Sequence, residues 1–139
     1  MKARAQAAAA LVEFALVWPV ALLIVLGAVE TAVWSAEAYA VRAASLAGAH
    51  AGSVVGGTPQ AATAVAIQTL SAGLVGTAAV AWCPGSPRPA PPLWVCAIDT
   101  GAAVEVDVGG SVPALVPIAP GAGLPVHVHV VLQKERFAP

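Results

Sequence analysis

The sequence predicts an α+β protein: a long N-terminal helix that crosses a membrane, then a second helix packed on a small antiparallel β-sheet. Three observations predict it. Residues 14–29 carry no charge and are almost wholly apolar. Residues 6–51 lack any Gly-Pro cluster and are dominated by Ala, Val and Leu, of which Ala and Leu are strong helix formers. After residue 77 the hydrophobic period changes from three and four to two, the signature of strands rather than helices. The chain of 139 residues is 59% hydrophobic and 9% charged, against about 25% charged in an ordinary soluble domain. Such a composition suits a membrane or a packed assembly. A net charge of −1 gives no electrostatic case for nucleic-acid binding.

The first element opens with Lys2 and Arg4. The apolar run behind them reaches Val29, and about Ala36 if Glu30 is tolerated. About 20 apolar residues cross a bilayer, so the span is placed at 14–36. The positive-inside rule then holds the N-terminus in the cytoplasm and puts residues 52–139 outside the inner membrane as an extracytoplasmic domain. Pro19 falls inside the run, where membrane helices tolerate a kink. Beyond the membrane Ala36, Ala40, Ala43, Ala47 and Ala51 recur every three or four residues, a small-residue stripe that lets another helix approach closely. A helix over 7–51 measures roughly 65–70 Å at 1.5 Å per residue. Its second half must pack on a globular domain, on neighbouring copies, or on both.

Gly52, Gly56 and Gly57 are expected to end this helix. Thr58 and Pro59 then read as the cap and first turn of a second one. It runs to about Ala72, with Ala62, Val65, Ala66 and Leu70 forming one docking face and Gly73 and Gly76 closing it. TAAVAWC, 77–83, reads as a strand. PGSPRPAPP, 84–92, is too rich in proline for regular structure. LWVCAID, 93–99, is a strand, and AVEVDVG, 103–109, alternates with Val104, Val106 and Val108 inward and Glu105 and Asp107 outward. The four prolines of 111–125 predict a long irregular loop. VHVHVVLQKE, 126–135, is the last strand, with His127 and His129 outward. Adjacent strands are expected to pair as hairpins.

Cys83 and Cys96 fall in the outer compartment, where disulfides persist. Their spacing suits a clasp across the proline loop; two buried free thiols are the alternative. Trp82 and Trp94 neighbour these cysteines and suit packing around a bridge. Trp18 and Trp34 bracket the apolar run, as rings of a membrane-interface belt do.

Catalytic chemistry is scarce. No serine lies in a G-x-S-x-G turn, and no glycine pair is followed by the Lys-Thr or Lys-Ser of a phosphate loop. No cofactor is called for. His127 and His129, two apart on a strand, share a face and are weak candidates for a metal, with Glu105 or Asp107 as a further ligand. The simpler reading is that they keep a solvent face polar. His50 suits a partner for the helix C-terminal dipole.

The segment RAQAAAALVEFALVWPVALLIVLGAVETA resembles the N-terminus of TadE-like proteins, the minor pilins (pseudopilins) of tight-adherence pili. Val12, Glu13, Phe14, Ala15, Leu16 and Pro19 carry the match. The strands around VEVDV and VHVHVVLQKE resemble the family's C-terminal part more loosely. The resemblance implies a non-catalytic subunit whose partners are the membrane, other pilin subunits, the assembly machinery and a prepilin peptidase. In such subunits a glutamate stands fifth in the mature chain. Counting back from Glu13 places the cut between Ala8 and Ala9, leaving 1–8 as a leader and 9–51 as the helix. Ala8 replaces the glycine usual before such a cut. If Ala5 takes that place instead, the mature chain starts at Gln6. Independently, a carboxylate at the lipid boundary is costly unless paired, and the freed α-amino group of the same subunit or of a neighbour is a natural partner. The alternative is a Glu13 solvated among headgroups, as an acid that favours the helix N-terminal dipole.

Two other readings compete. Ala36-Glu37-Ala38 and Ala38-Tyr39-Ala40 resemble signal-peptide cleavage sites, which would make the chain a secreted protein with an unusually long leader. A metal-binding envelope protein using His127 and His129 is the third.

Overall fold

The computed structural model describes the backbone of residues 2–74, 78–115 and 123–135, and side chains from Glu13 onward within those ranges. The predicted α+β class holds: a long apolar helix, a second helix and a four-stranded sheet. The chain divides into two compact units, Met1–Val33 and Trp34–Pro139. The first is helical from Lys2, as part of helix α1 (Lys2–Ser53), and includes Pro19. All of its side chains from Glu13 to Val29 are exposed.

The second unit holds the rest of α1, helix α2 (Pro59–Gly73) and strands β1 (Val80–Ala81), β2 (Leu93–Asp99), β3 (Ala103–Pro113) and β4 (Gly123–Gln133), in the order β1-β2-β3-β4. α2 starts as its sequence dictates: Ala61 N–H donates to the Thr58 hydroxyl at 3.2 Å, with Pro59 in the first turn. It ends where the Leu74 N–H reaches the Leu70 carbonyl at 2.9 Å. The expected stop at Gly76 lies outside the described residues.

The core joins both helices to one face of the sheet. Val41, Ala44, Leu70, Leu93, Val95, Val104, Val106 and Val108 are all buried there. The alternation of β3 therefore has the predicted sense. The alanine stripe does not. Ala36 and Ala43 are exposed and Ala40, Ala47 and Ala51 half-buried, with Ala40 packed on the core, whereas Val41, Ala44, Ser45, Gly48 and Gly52 are buried. The docking face is therefore centred one position further along the helix, and the stripe forms its flank. The reason is steric. A Cβ at Gly48 would stand 2.7 Å from the Ala62 carbonyl oxygen, and one at Gly52 would stand 2.8 Å from Val104. Gly52 thus serves close packing within the helix rather than terminating it. Reversal falls to Gly56, whose φ of +79° favours glycine.

The sheet is mixed rather than antiparallel. β1 pairs parallel with β2, Val80 with Trp94 and Ala81 with Val95. The strand expected over 77–83 shortens to two residues, and Thr77 lies outside the described residues. No hairpin joins β1 to β2. Parallel strands need a crossover, and the proline-rich segment supplies it. The Trp82 N–H donates to the Val95 carbonyl at 3.0 Å, and the Trp82 indole N–H donates to the Arg88 carbonyl at 3.0 Å.

β2 to β4 are antiparallel, and β3 and β4 extend into the region expected as loop: Ser111 pairs with Pro125 and Pro113 with Gly123. The prolines fit because of peptide alternation. Ser111 N–H donates to the Pro92 carbonyl at 2.7 Å, so odd-numbered peptide groups of β3 face β2 and even-numbered ones face β4. Pro113 and Pro125 both sit where the missing N–H would point away from the β3–β4 ladder. Residues 116–122 of the expected loop lie outside the described ones.

Candidate functional site

The first candidate is the N-terminal helix. Glu13 is exposed and opens a surface of Phe14, Leu16, Val17 and Trp18, all exposed; Phe14 and Trp18 stack with ring centroids 5.9 Å apart. Further along, the Thr31 hydroxyl donates to the Gly27 carbonyl at 2.8 Å, which hides a polar group within the helix itself. Among the described residues, this is the one helix long and apolar enough to cross a membrane, by length and composition. Side chains of Ala8 and Ala9, the expected cleavage pair, lie outside the described residues. Trp18 and Trp34 are both exposed.

The second candidate is the sheet face opposite the helices. Trp94, Cys96, Asp107, Gly109, His127 and His129 share it, because the register sets Trp94 beside Gly109, Gly109 beside His127, Cys96 beside Asp107 and Asp107 beside His129. Cys83 and Cys96 are joined by a disulfide. Trp82 meets Trp94 edge-on at 5.4 Å, and Trp94 lies 6.3 Å from the His127 ring. The aromatic pair therefore covers the sheet beside the bridge.

The two histidines come together around one carboxylate. Asp107 Oδ1 is 3.0 Å from His127 Nε2, and Oδ2 is 3.6 Å from His129 Nδ1. Glu105 does not take part; it pairs across the ladder with Val131. The carboxylate oxygens diverge toward separate imidazoles, an arrangement suited to cross-strand ion pairs when the rings are protonated. The imidazole side chains are 65% and 47% exposed, so such pairs remain weak. Among the described residues, no group of three His, Cys, Asp or Glu side chains is placed to hold a metal ion. His50 is exposed in the last turn of α1, where its carbonyl accepts from the Ser53 hydroxyl at 3.1 Å.

Sequence reasoning passed over Glu37, which is buried at 8% relative exposure. A signal was present: Glu37, Val41, Ser45 and Gly48 continue one face at spacings of four and three. The charge disguised its place on that face.

No curated protein and no solved structure matches the chain. Residues 8–50, which contain Glu13, Pro19 and the whole apolar run, match the family model of TadE-like proteins, so this N-terminal segment is similar to that family.

Proposed function

We propose that the chain is a membrane-anchored minor subunit of a tight-adherence pilus, acting by helix packing rather than by catalysis. The observation that carries this reading is the coincidence of the TadE-like match over 8–50 with a helix whose side chains from Glu13 to Val29 are all exposed. Apolar surface of that extent is stable in lipid or against other helices. Lys2 and Arg4 hold the N-terminus in the cytoplasm, and the domain of 52–139 faces outward. A prepilin peptidase cuts between Ala8 and Ala9. The freed α-amino group, of this subunit or of a neighbour, then pairs with Glu13 as the helix enters a stack of pilin subunits.

Burial speaks against a secreted product cut at Ala38 or Ala40. Either cut would separate buried Glu37 from Val41, within the stretch of α1 that packs in the core. The mass and N-terminal residue of the mature chain test the reading. A start at Ala9 is expected, and a start after Ala38 or Ala40 would overturn it. Glu13→Ala should leave membrane insertion intact while impairing processing or assembly. Normal pili from that variant would remove the role given to Glu13.

A further inference from the structure

β4 lies at the edge of the sheet, paired with β3 and, among the described residues, with no strand on its other side. Proteins usually blunt such edges with lysine, proline, a bulge or a short strand. This edge is 11 residues long, GLPVHVHVVLQ, with no Lys, Arg, Asp or Glu and with its single proline near one end. Of its inward-facing residues only Val126 is buried; Leu124, Val128, Val130 and Leu132 pack on the core but are only partly covered. The edge therefore offers both peptide groups and apolar surface.

The backbone pattern fixes which groups it offers. Even-numbered peptide groups of β3 face β4, so their partners Val126, Val128 and Val130 face back. His127, His129 and Val131 then point their N–H and C=O groups out of the sheet. The sequence around them is symmetric: V-H-V-H-V is a palindrome centred on Val128, which is also the middle residue of Gly123–Gln133.

We propose that β4 pairs antiparallel with β4 of a second copy of this chain, about a two-fold axis at Val128. In that register His127 lies opposite the partner's His129, and Val126 lies opposite the partner's Val130. Val128 meets its own counterpart. Each His127–His129 pair exchanges both hydrogen bonds, because both residues present outward peptide groups. Valine continues onto valine, extending the covered face. A slip by one residue would set His127 opposite the partner's Val128, whose peptide groups already bond β3, so no hydrogen bonds would form across the contact. Such a contact is isologous and closed, as in most homodimers. It rests on β4 alone, independently of the pilus reading.

The test uses the full chain in its membrane. Val128→Cys should form an intermolecular disulfide with itself on oxidation, since cross-strand neighbours on one face stand about 4.5–5.5 Å apart at Cβ. Val131→Cys should not, because Val131 falls opposite the partner's Pro125. Equal cross-linking of both variants would overturn the register, as would capture of a different protein by Val128→Cys without self-linkage. Sedimentation equilibrium in detergent micelles supplies the second measurement. His129→Pro removes an edge-facing N–H while sparing the β3–β4 ladder, and should weaken dimerisation on the order of tenfold or more. His129→Ala keeps the N–H and should dimerise. Far-ultraviolet circular dichroism checks that both variants fold. A monomeric parent chain, or a folded His129→Pro variant that dimerises like the parent, would overturn the proposal.

Discussion

The indole of Trp94 packs directly against Gly109: a Cβ on that glycine would stand 2.5 Å from Trp94 Cζ2 and 3.1 Å from His127 Cδ2. The two residues are cross-strand neighbours in the β2–β3 ladder. A glycine in mid-strand weakens a sheet, but here its missing side chain is the seat of the ring. Trp94 in turn meets Trp82 edge-on, so the seat positions the aromatic cover beside the disulfide. Gly109→Ala should push the indole off the sheet and lower stability by about 1–3 kcal/mol, the usual cost of overpacking. Urea unfolding of the full chain in detergent micelles, followed by tryptophan fluorescence, measures both effects. Unchanged stability with unchanged emission would show that Trp94 is not seated this way.

This relationship was illegible in the sequence, where Gly109 marks only the end of an alternating run. Its role depends on register, and register depends on strands far apart in the chain. β2 was legible to the residue, because Leu93–Asp99 is bounded by a proline cluster and a turn. The inward valines of β3 were legible from alternation. β1 was legible as a strand within 77–83, but not its shortness or its parallel pairing with β2, since two residues carry no period and pairing sense depends on the crossover. Pro113 and Pro125 misled for a related reason: proline forbids only the ladder bond its own N–H would make. The alanine stripe failed because alanines on both flanks of the helix look alike. The true face is marked by its exceptions, Val41, Ser45, Gly48 and Gly52. At the N-terminus the pattern around Glu13 was legible without any fold, since an acid ahead of a long uncharged run needs no register to be seen.

Gly48 sets how closely α1 approaches α2. Its missing Cβ would meet the Ala62 carbonyl oxygen at 2.7 Å and the Ala66 side chain at 2.9 Å. One of these obstacles is backbone and cannot turn aside. Gly48→Ala gains helix propensity, up to about 1 kcal/mol in an open helix, yet should be net destabilising by about 1–2 kcal/mol because the helices must separate. The sign decides the matter. A Cβ placed on Gly27 would meet nothing within 4 Å, and Gly27→Ala is the matched control in the same helix. Thermal unfolding should place the first variant below the parent and the second at or above it.

Cys83 and Cys96, 13 apart in sequence, bind the crossover to the sheet. A bridge closing a loop of that length restricts the unfolded chain by about 3 kcal/mol in the chain-entropy description. The paired replacement Cys83→Ser with Cys96→Ser should lower stability by about 2–4 kcal/mol. The loss should appear first in the crossover. Hydrogen exchange at the Trp82 N–H, bonded to the Val95 carbonyl, reads it directly. In contrast, amides of the β3–β4 ladder should keep protection relative to global unfolding. Uniform loss of protection at both places would mean that the bridge holds the whole sheet rather than this edge.

Asp99 and Lys134 tie the start of the β2–β3 turn to the end of β4. The Lys134 ammonium donates to Asp99 Oδ2, and the Gly101 N–H donates to Asp99 Oδ1 at 2.8 Å. The Lys134 hydrogen bond, followed by the one from Gly101, holds the Asp99 pKa below its ordinary value of 3.8. A carboxylate whose pKa is lowered by folding stabilises the fold above its unfolded value. That contribution is lost as pH falls through the lower, folded value. Asp99→Asn keeps an oxygen for the Gly101 N–H but gives up the charge. The stability gap between parent and variant should therefore be fully present near neutral pH and close as pH falls below about 4. Because the pair lies at the surface, added salt should narrow the gap at neutral pH. Urea midpoints across that pH range, at low and high salt, measure both trends. A gap that persisted unchanged in strong acid would assign the effect of Asp99→Asn to the turn rather than to the ion pair.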